Sequence, residues 1–229
     1  KNQIISNRVG HAYLFNGTRG TGKTSAAKVL ARAINCLNPK DGEPCNECEI
    51  CKAALSGALT DIVEMDAASN NSVDDIRIIR DEVNFLPTLA KYRVYIIDEV
   101  HMLSTGAFNA LLKTLEEPPE HVKFILATTE PQKLPATILS RCQRFDFKRV
   151  TVKDISLRMK YICEKEGIDA DEKALNLIAR NSQGALRDAL SILDQCISFE
   201  GNKISYNDVI ELLGSVNIEQ LFDLAESII

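Results

Sequence analysis

Tryptophan is absent from the 229 residues, and the other aromatics are eight Phe and five Tyr. An aromatic-rich binding surface is therefore not expected. Eleven Gly and seven Pro are too few for a collagen-like or low-complexity chain. With 45% hydrophobic and 26% charged residues the chain can fill a core of one or two domains rather than remain disordered. No apolar run approaches the ~18 residues that span a bilayer. A basic-apolar leader and a lipidation signal are also missing, so the expectation is a soluble cytoplasmic protein with no membrane partner. Charge of one sign does not dominate: 27 Lys+Arg against 32 Asp+Glu leaves −5. This disfavours a free-standing nucleic-acid binder, while a local basic strip within an assembly stays compatible. Histidines are three (His11, His101 and His121). None has a partner at metal or triad spacing, so they read as structural, and Ser/His/Asp nucleophilic catalysis has no support. Lys1 in place of Met, and Ile229 inside an apolar helical pattern, read as cuts in a longer protein.

What the sequence does contain is ordered alternation. Short apolar runs at Ala12–Phe15, Ile62–Asp66, Val94–Asp98, Val122–Thr128 and Arg144–Phe147 read as strands covered on both faces. Between them Thr24–Ile34, Ser72–Asn84 and Thr105–Leu115 read as helices, the last stopped by Pro118-Pro119. Such alternation predicts a five-stranded parallel α/β sheet. After Val150 the period changes to 3.6 at Lys153–Glu166, Asp171–Asn181, Ala185–Phe199 and Tyr206–Leu213, with no strand signal. The expected division is an α/β domain over 1–150, which the motifs below make nucleotide-binding, a helical domain over 151–213, and a further start at 214–229.

Gly17-Thr18-Arg19-Gly20-Thr21-Gly22-Lys23-Thr24 fits GxxxxGK[ST] between a strand and a helix that continues through Ser25. Glycines let backbone N–H groups wrap phosphates, Lys23 supplies charge, and Thr24 offers a hydroxyl to Mg²⁺. A chance glycine-rich turn would not have both flanking elements in register. Downstream, the apolar run Val94–Ile97 ends in Asp98-Glu99. Asp98 suits the Mg²⁺ shell, and Glu99 suits polarising a water against the γ-phosphate of ATP. Cys36, Cys45, Cys48 and Cys51 form C-x8-C-x2-C-x2-C in a turn-rich stretch. Four thiolates close a tetrahedral shell, so the spacing points to structural Zn²⁺, against disulfides or scattered core thiols. Cys142, Cys163 and Cys196 read as packing.

Phe124–Glu130, Ser140-Arg141-Cys142 and Gly184–Leu190, taken with the cysteine quartet and Asp98–Ser104, give the whole chain a close resemblance to bacterial DNA polymerase III gamma/tau subunits. These are the ATPase motors of sliding-clamp loaders, in the AAA+ class. The resemblance implies an AAA+ fold with a zinc-bearing insertion and a three-helix lid. It implies ATP and Mg²⁺ held by Lys23, Thr24 and Asp98, with Glu99 catalytic. Thr129 (less so Thr128) would be a first sensor, Arg187 a second sensor acting in cis, and Arg141 an arginine finger acting on a neighbour's nucleotide. Implied partners are delta- and delta-prime-type subunits in a pentameric ring, the sliding clamp and primer-template DNA. For DNA contact the expected residues are Asn70, Asn71, Ser72 and Arg77, with Lys113 reporting DNA to Glu99; an ordinary capped helix is the alternative. Phe85 and Leu86 are expected either to touch the clamp or to lie under the next loop. Only ten residues precede His11, where the family cradles adenine, and the collar that closes the ring would begin where the chain ends. A monomeric, weakly binding fragment is expected on that ground. The alternatives are a non-hydrolysing structural loader subunit, against which Lys23, Thr24, Asp98 and Glu99 argue, and a hexameric motor such as a branch-migration helicase, against which the quartet and Ser140-Arg141-Cys142 argue.

Overall fold

Apolar runs flanked by polar turns become five strands: β1 Ala12–Gly17, β2 Ile62–Asp66, β3 Arg93–Asp98, β4 Val122–Thr128 and β5 Gln143–Phe147. All pair in parallel, in the order β2-β3-β4-β1-β5. Every residue of β4 is buried, as a strand near the middle of a doubly covered sheet requires. The computed structural model describes residues 1–214. These separate into two compact units, the first comprising 1–17 and 22–147, the second 18–21 with 148–214.

In the first unit the sheet is the middle of three layers. One face holds Leu14, Ile97, Phe124 and Leu126 against apolar residues of α4 (Val73–Glu82), α5 (Thr105–Glu116) and α6 (Ala136–Leu139). The other holds Phe15, Val94, Ile96 and Ile125 against Ala27, Ala31 and Ile34 of α2 (Lys23–Asn35). Two short helices complete the unit, α1 (Asn2–Ile5) and α3 (Glu49–Leu55). Alternation along each strand sends successive side chains to opposite layers, so one strand feeds both cores. Helix α4 starts on a capping box in which Ser72 and Asp75 satisfy each other's backbone N–H. Ser104 caps α5 by accepting from Ala107 N–H.

The second unit contains α7 (Val152–Glu166), α8 (Glu172–Asn181), α9 (Leu186–Glu200) and α10 (Tyr206–Leu213) around Ile155, Met159, Leu175, Ile178, Leu193 and Val209. Among the described residues the helical unit thus has four helices where the resemblance implies three, because α10 buries Val209 in the same core. A two-residue parallel pair, β6 (Asp169–Ala170) with β7 (Lys203–Ile204), appears where no strand was expected. It is too short to carry a period of its own, and it forms because both segments leave a helix beside one another. Cys163 and Cys196 are packing thiols in this core, as expected. Gly214 closes α10 in the left-handed region; the expected start at 214–229 otherwise lies outside the described residues.

Candidate functional site

Parallel strands deliver their C-terminal ends to one edge, and there the expected nucleotide residues meet. Strand β1 ends at Gly17, where a Cβ would lie 2.4 Å from Phe147 O; glycine is needed for that approach. Gly22, at φ 89°, turns the chain into α2. Lys23 is buried and donates from Nζ to Gly17 O at 2.9 Å. Burial holds its ammonium below the usual lysine value, with the Glu99 and Asp98 charges pulling the other way. The loop tip Thr18–Thr21 groups with the second unit, in which Leu186 N–H donates to Gly20 O at 3.0 Å. Arg19 and Ser25 are exposed.

Thr24 donates its hydroxyl to Asp98 Oδ2, and Glu99 N–H donates to Asp98 Oδ1 at 2.9 Å. A hydroxyl and a carboxylate in contact at the strand edge are hard oxygen donors, which fit a Mg²⁺ shell. Glu99 sits in the left-handed region at φ 44°, a strained position for a residue with a side chain. Its Oε2 accepts from Thr129 Oγ1 at 3.0 Å and from Thr129 N–H at 3.3 Å. Thr128 is fully buried and its hydroxyl faces His101 Nδ1 at 3.0 Å. Both threonines thus stand at the site; Thr129 is the one on Glu99. His101, read from sequence as structural, lies within this cluster. Its place two residues after Glu99 was the only available signal.

The remaining candidates disperse. Arg141 donates to Glu116 Oε1 at 2.9 Å and to Thr137 O at 2.9 Å. Arg187 is exposed on the first turn of α9, its guanidinium without a partner among the described residues. At the start of α4, Asn70 donates to Asp66 O, Asn71 O accepts from Ser104 N–H, and Arg77 pairs with Asp74 at 2.8 Å. With Ser72 engaged by Asp75, this corner is a capped helix whose polar groups are largely satisfied. Lys113 is exposed near the end of α5, and Glu99 is met by Thr129 and His101 rather than by it. Among the described residues no hydrogen bond or ion pair joins Lys113 to Glu99.

Phe85 and Leu86 are exposed at 66% and 75%, so they do not lie under the next loop. Leu89 is 68% exposed beside them. The loop that carries them is anchored by Asp61, which is buried and accepts N–H bonds from Thr88, Leu89 and Ala90 at 2.7–2.8 Å. Burial alone would raise the Asp61 carboxyl, but these three bonds and the Arg93 charge hold it below the usual value. Nothing in the sequence pointed to Asp61, because its partners follow 27 to 29 residues later.

The cysteine quartet forms a separate centre. All four sulfurs lie within 4.8 Å of one another, and none is in a disulfide. Tetrahedral coordination at ~2.3 Å places sulfurs about 3.8 Å apart; Cys36–Cys45 at 3.4 Å and Cys45–Cys51 at 4.0 Å straddle that spacing. Backbone N–H groups of Cys45, Cys48 and Cys51 point at the sulfurs of Cys36, Cys45 and Cys48 at 3.3–3.4 Å. Backbone N–H bonds from Glu47 and Cys48 lower the Cys45 thiol to about 6, whereas burial raises that of Cys51 to about 12. The donor set fits Zn²⁺.

Residues 1–151 match the family described as DNA polymerase III, delta subunit, and residues 154–202 match the clamp-loader subunit ATPase lid domain. The chain belongs to the DNA polymerase III clamp-loader family. Within it the gamma/tau branch is similar over the full length. The chain is 56% identical to the tau subunit of Bacillus subtilis over 228 residues, covering all of this chain and 40% of that protein. It is 47% identical to the tau subunit of Escherichia coli, again over all of this chain and 36% of that protein. The chain therefore spans about two fifths of these clamp-loader relatives. Among solved structures, the Holliday-junction branch-migration motor RuvB of Thermotoga maritima aligns with a TM-score of 0.63 at 20% identity, over 96% of this chain and 66% of that one. At that identity the likeness establishes the AAA+ fold alone. No described helix is long and apolar enough to cross a membrane.

Proposed function

We propose that this chain is the ATP-hydrolysing motor of a bacterial sliding-clamp loader, working in the replisome at the cytoplasmic nucleoid. The observation that carries the proposal is the contact of Thr24 with Asp98 beside buried Lys23, with Glu99 next in sequence. Lys23, Thr24, Asp98 and Glu99 at one edge of the sheet support the hydrolysing reading over a structural subunit. The division into 1–150, 151–213 and 214–229 accompanies this reading, as does zinc at Cys36, Cys45, Cys48 and Cys51.

Gly17–Ser25 would cradle the triphosphate, with backbone N–H groups and the N-terminus of α2 directed at the anion. A phosphate oxygen would replace Gly17 O as the partner of Lys23, restoring in ion pairing what burial costs that ammonium. Mg²⁺, when bound, neutralises charge on the phosphates; Thr24 and Asp98 would hold it. Glu99 would take a proton as a water oxygen attacks the γ-phosphorus and the bond to the β-phosphate oxygen breaks. Thr129 would sense the γ-phosphate through the hydroxyl now given to Glu99.

Arg141 would act in trans on a neighbouring subunit's nucleotide, which requires release from Glu116; Arg187 would act in cis. Delta- and delta-prime-type subunits would complete a pentamer around primer-template DNA. Asn70, Asn71, Ser72 and Arg77 would face its backbone without reading bases. Phe85 and Leu86, exposed on an anchored loop, would dock the clamp. The test is ATPase activity of the full-length protein with loader partners, with and without clamp and primed DNA. Stimulation by both is expected; ATPase unaffected by either sinks the loader assignment.

A further inference from the structure

We infer that His101 is a positioning residue for Glu99, holding one carboxylate oxygen so that the other faces water. This rests on the reading of Glu99 as the base of ATP hydrolysis. The His101 side chain is 7% exposed, and Nδ1 lies 3.0 Å from Thr128 Oγ1 and 3.4 Å from Glu99 Oε2. The same Oε2 receives the N–H and O–H of Thr129. The two Thr129 donors thus meet on Oε2 with Nδ1 of His101 3.4 Å away, while Oε1 has no hydrogen bond among the described residues. A carboxylate held by one oxygen keeps its free lone pairs aimed, which is what a base needs for a water placed by substrate.

The surroundings favour one tautomer. A bare Nδ1 would turn its lone pair toward the Glu99 carboxylate, a repulsive arrangement in a buried place. Placed on Nδ1, the proton is given to Thr128 Oγ1 at 3.0 Å and lies on the side of Oε2, 3.4 Å from Nδ1. Thr128 is itself fixed, since its Oγ1 accepts from Glu130 N–H at 3.0 Å. The chain of contacts runs from the end of β4 through His101 to a glutamate whose backbone is already constrained at φ 44°. Two segments distant in sequence, 99–101 and 128–130, thereby lock one carboxylate. A histidine that served packing alone would need neither the Nδ1 contact with Thr128 nor its approach to Glu99.

The experiment uses the full-length protein in its assembled loader with clamp and primed DNA. Four proteins are compared: wild type, Glu99→Gln, His101→Leu and His101→Asn. Leucine removes the donor; asparagine restores an N–H close to the place of Nδ1. Expected for His101→Leu is a fall in kcat of about 10-fold or more with the KM for ATP nearly unchanged, as for loss of an aiming contact. His101→Asn should recover most of that loss. If His101→Leu keeps wild-type kcat while Glu99→Gln is inactive, the inference is overturned and the Glu99 assignment stands. If asparagine is as damaging as leucine, the ring acts through packing and the inference is again overturned. If Glu99→Gln hydrolyses ATP normally, the base assignment itself falls, and the role of His101 falls with it.

Discussion

The cysteine centre and the acidic site are built in opposite ways. Cys36, Cys45, Cys48 and Cys51 come from one continuous stretch, and the N–H groups that support their sulfurs belong to that same stretch. Glu99 depends on Thr129 and His101, and Asp98 on Thr24, which lies 74 residues away. The first can assemble wherever its own segment folds and binds metal. The second exists only when β1, β3 and β4 are in register. A local site fails locally; a site assembled by a sheet inherits every weakness of the sheet.

The largest expected effect belongs to the local centre. Chelation, or Cys48→Ser, should forfeit metal-linked folding free energy on the order of 10 kcal/mol, the scale of structural zinc sites. Hydrogen exchange should then rise sharply over 36–55 while the strands stay protected. Exchange rising equally in β3 and β4 would break the contrast between the two sites. Zinc analysis of protein purified without chelator should give about one ion per chain.

Glu99→Gln comes next, with hydrolysis down ~10²–10⁴-fold, the usual contribution of a positioned acid or base. Nucleotide affinity and zinc content should not change, which a titration and metal analysis on the same preparation would check. Lost zinc in this variant would mean that the two centres are not independent.

Asp61→Ala tests how far the acidic site depends on distant anchors. Asp61 holds N–H groups of Thr88–Ala90, and its own carbonyl accepts from Val94 N–H at the start of β3. Losing the carboxylate leaves donors unpaired and should cost roughly 1–3 kcal/mol in chemical denaturation. The same group gives a pH signature. Its folded pKa lies below the ordinary carboxylate value, so its contribution is complete above that value. The contribution is lost as pH falls toward the folded pKa. The stability difference between wild type and Asp61→Ala should therefore shrink in acid; a gap independent of pH would argue against this account.

Smallest is Ser72→Ala, which removes one cap of α4 and should cost about 1 kcal/mol. DNA stimulation of ATPase in the same variant sharpens the reading of that corner. Stimulation retained in full would make Ser72 a cap alone.

The five-stranded parallel sheet, the phosphate loop, the acidic pair and the cysteine quartet were legible in the sequence by itself. Their signals are carried by near neighbours: apolar runs that must be buried on both faces, glycines at fixed offsets from Lys23, and thiols two residues apart. The tertiary structure alone decided that Thr129 meets Glu99 while Thr128 meets His101, that Asp61 pins the loop bearing Phe85 and Leu86, and that Arg141 rests on Glu116. Each of these pairs joins segments far apart in the chain. Which side chains face one another there depends on strand register and on which way a loop closes, and a shift of one residue along β4 would exchange the two threonines between faces of the sheet.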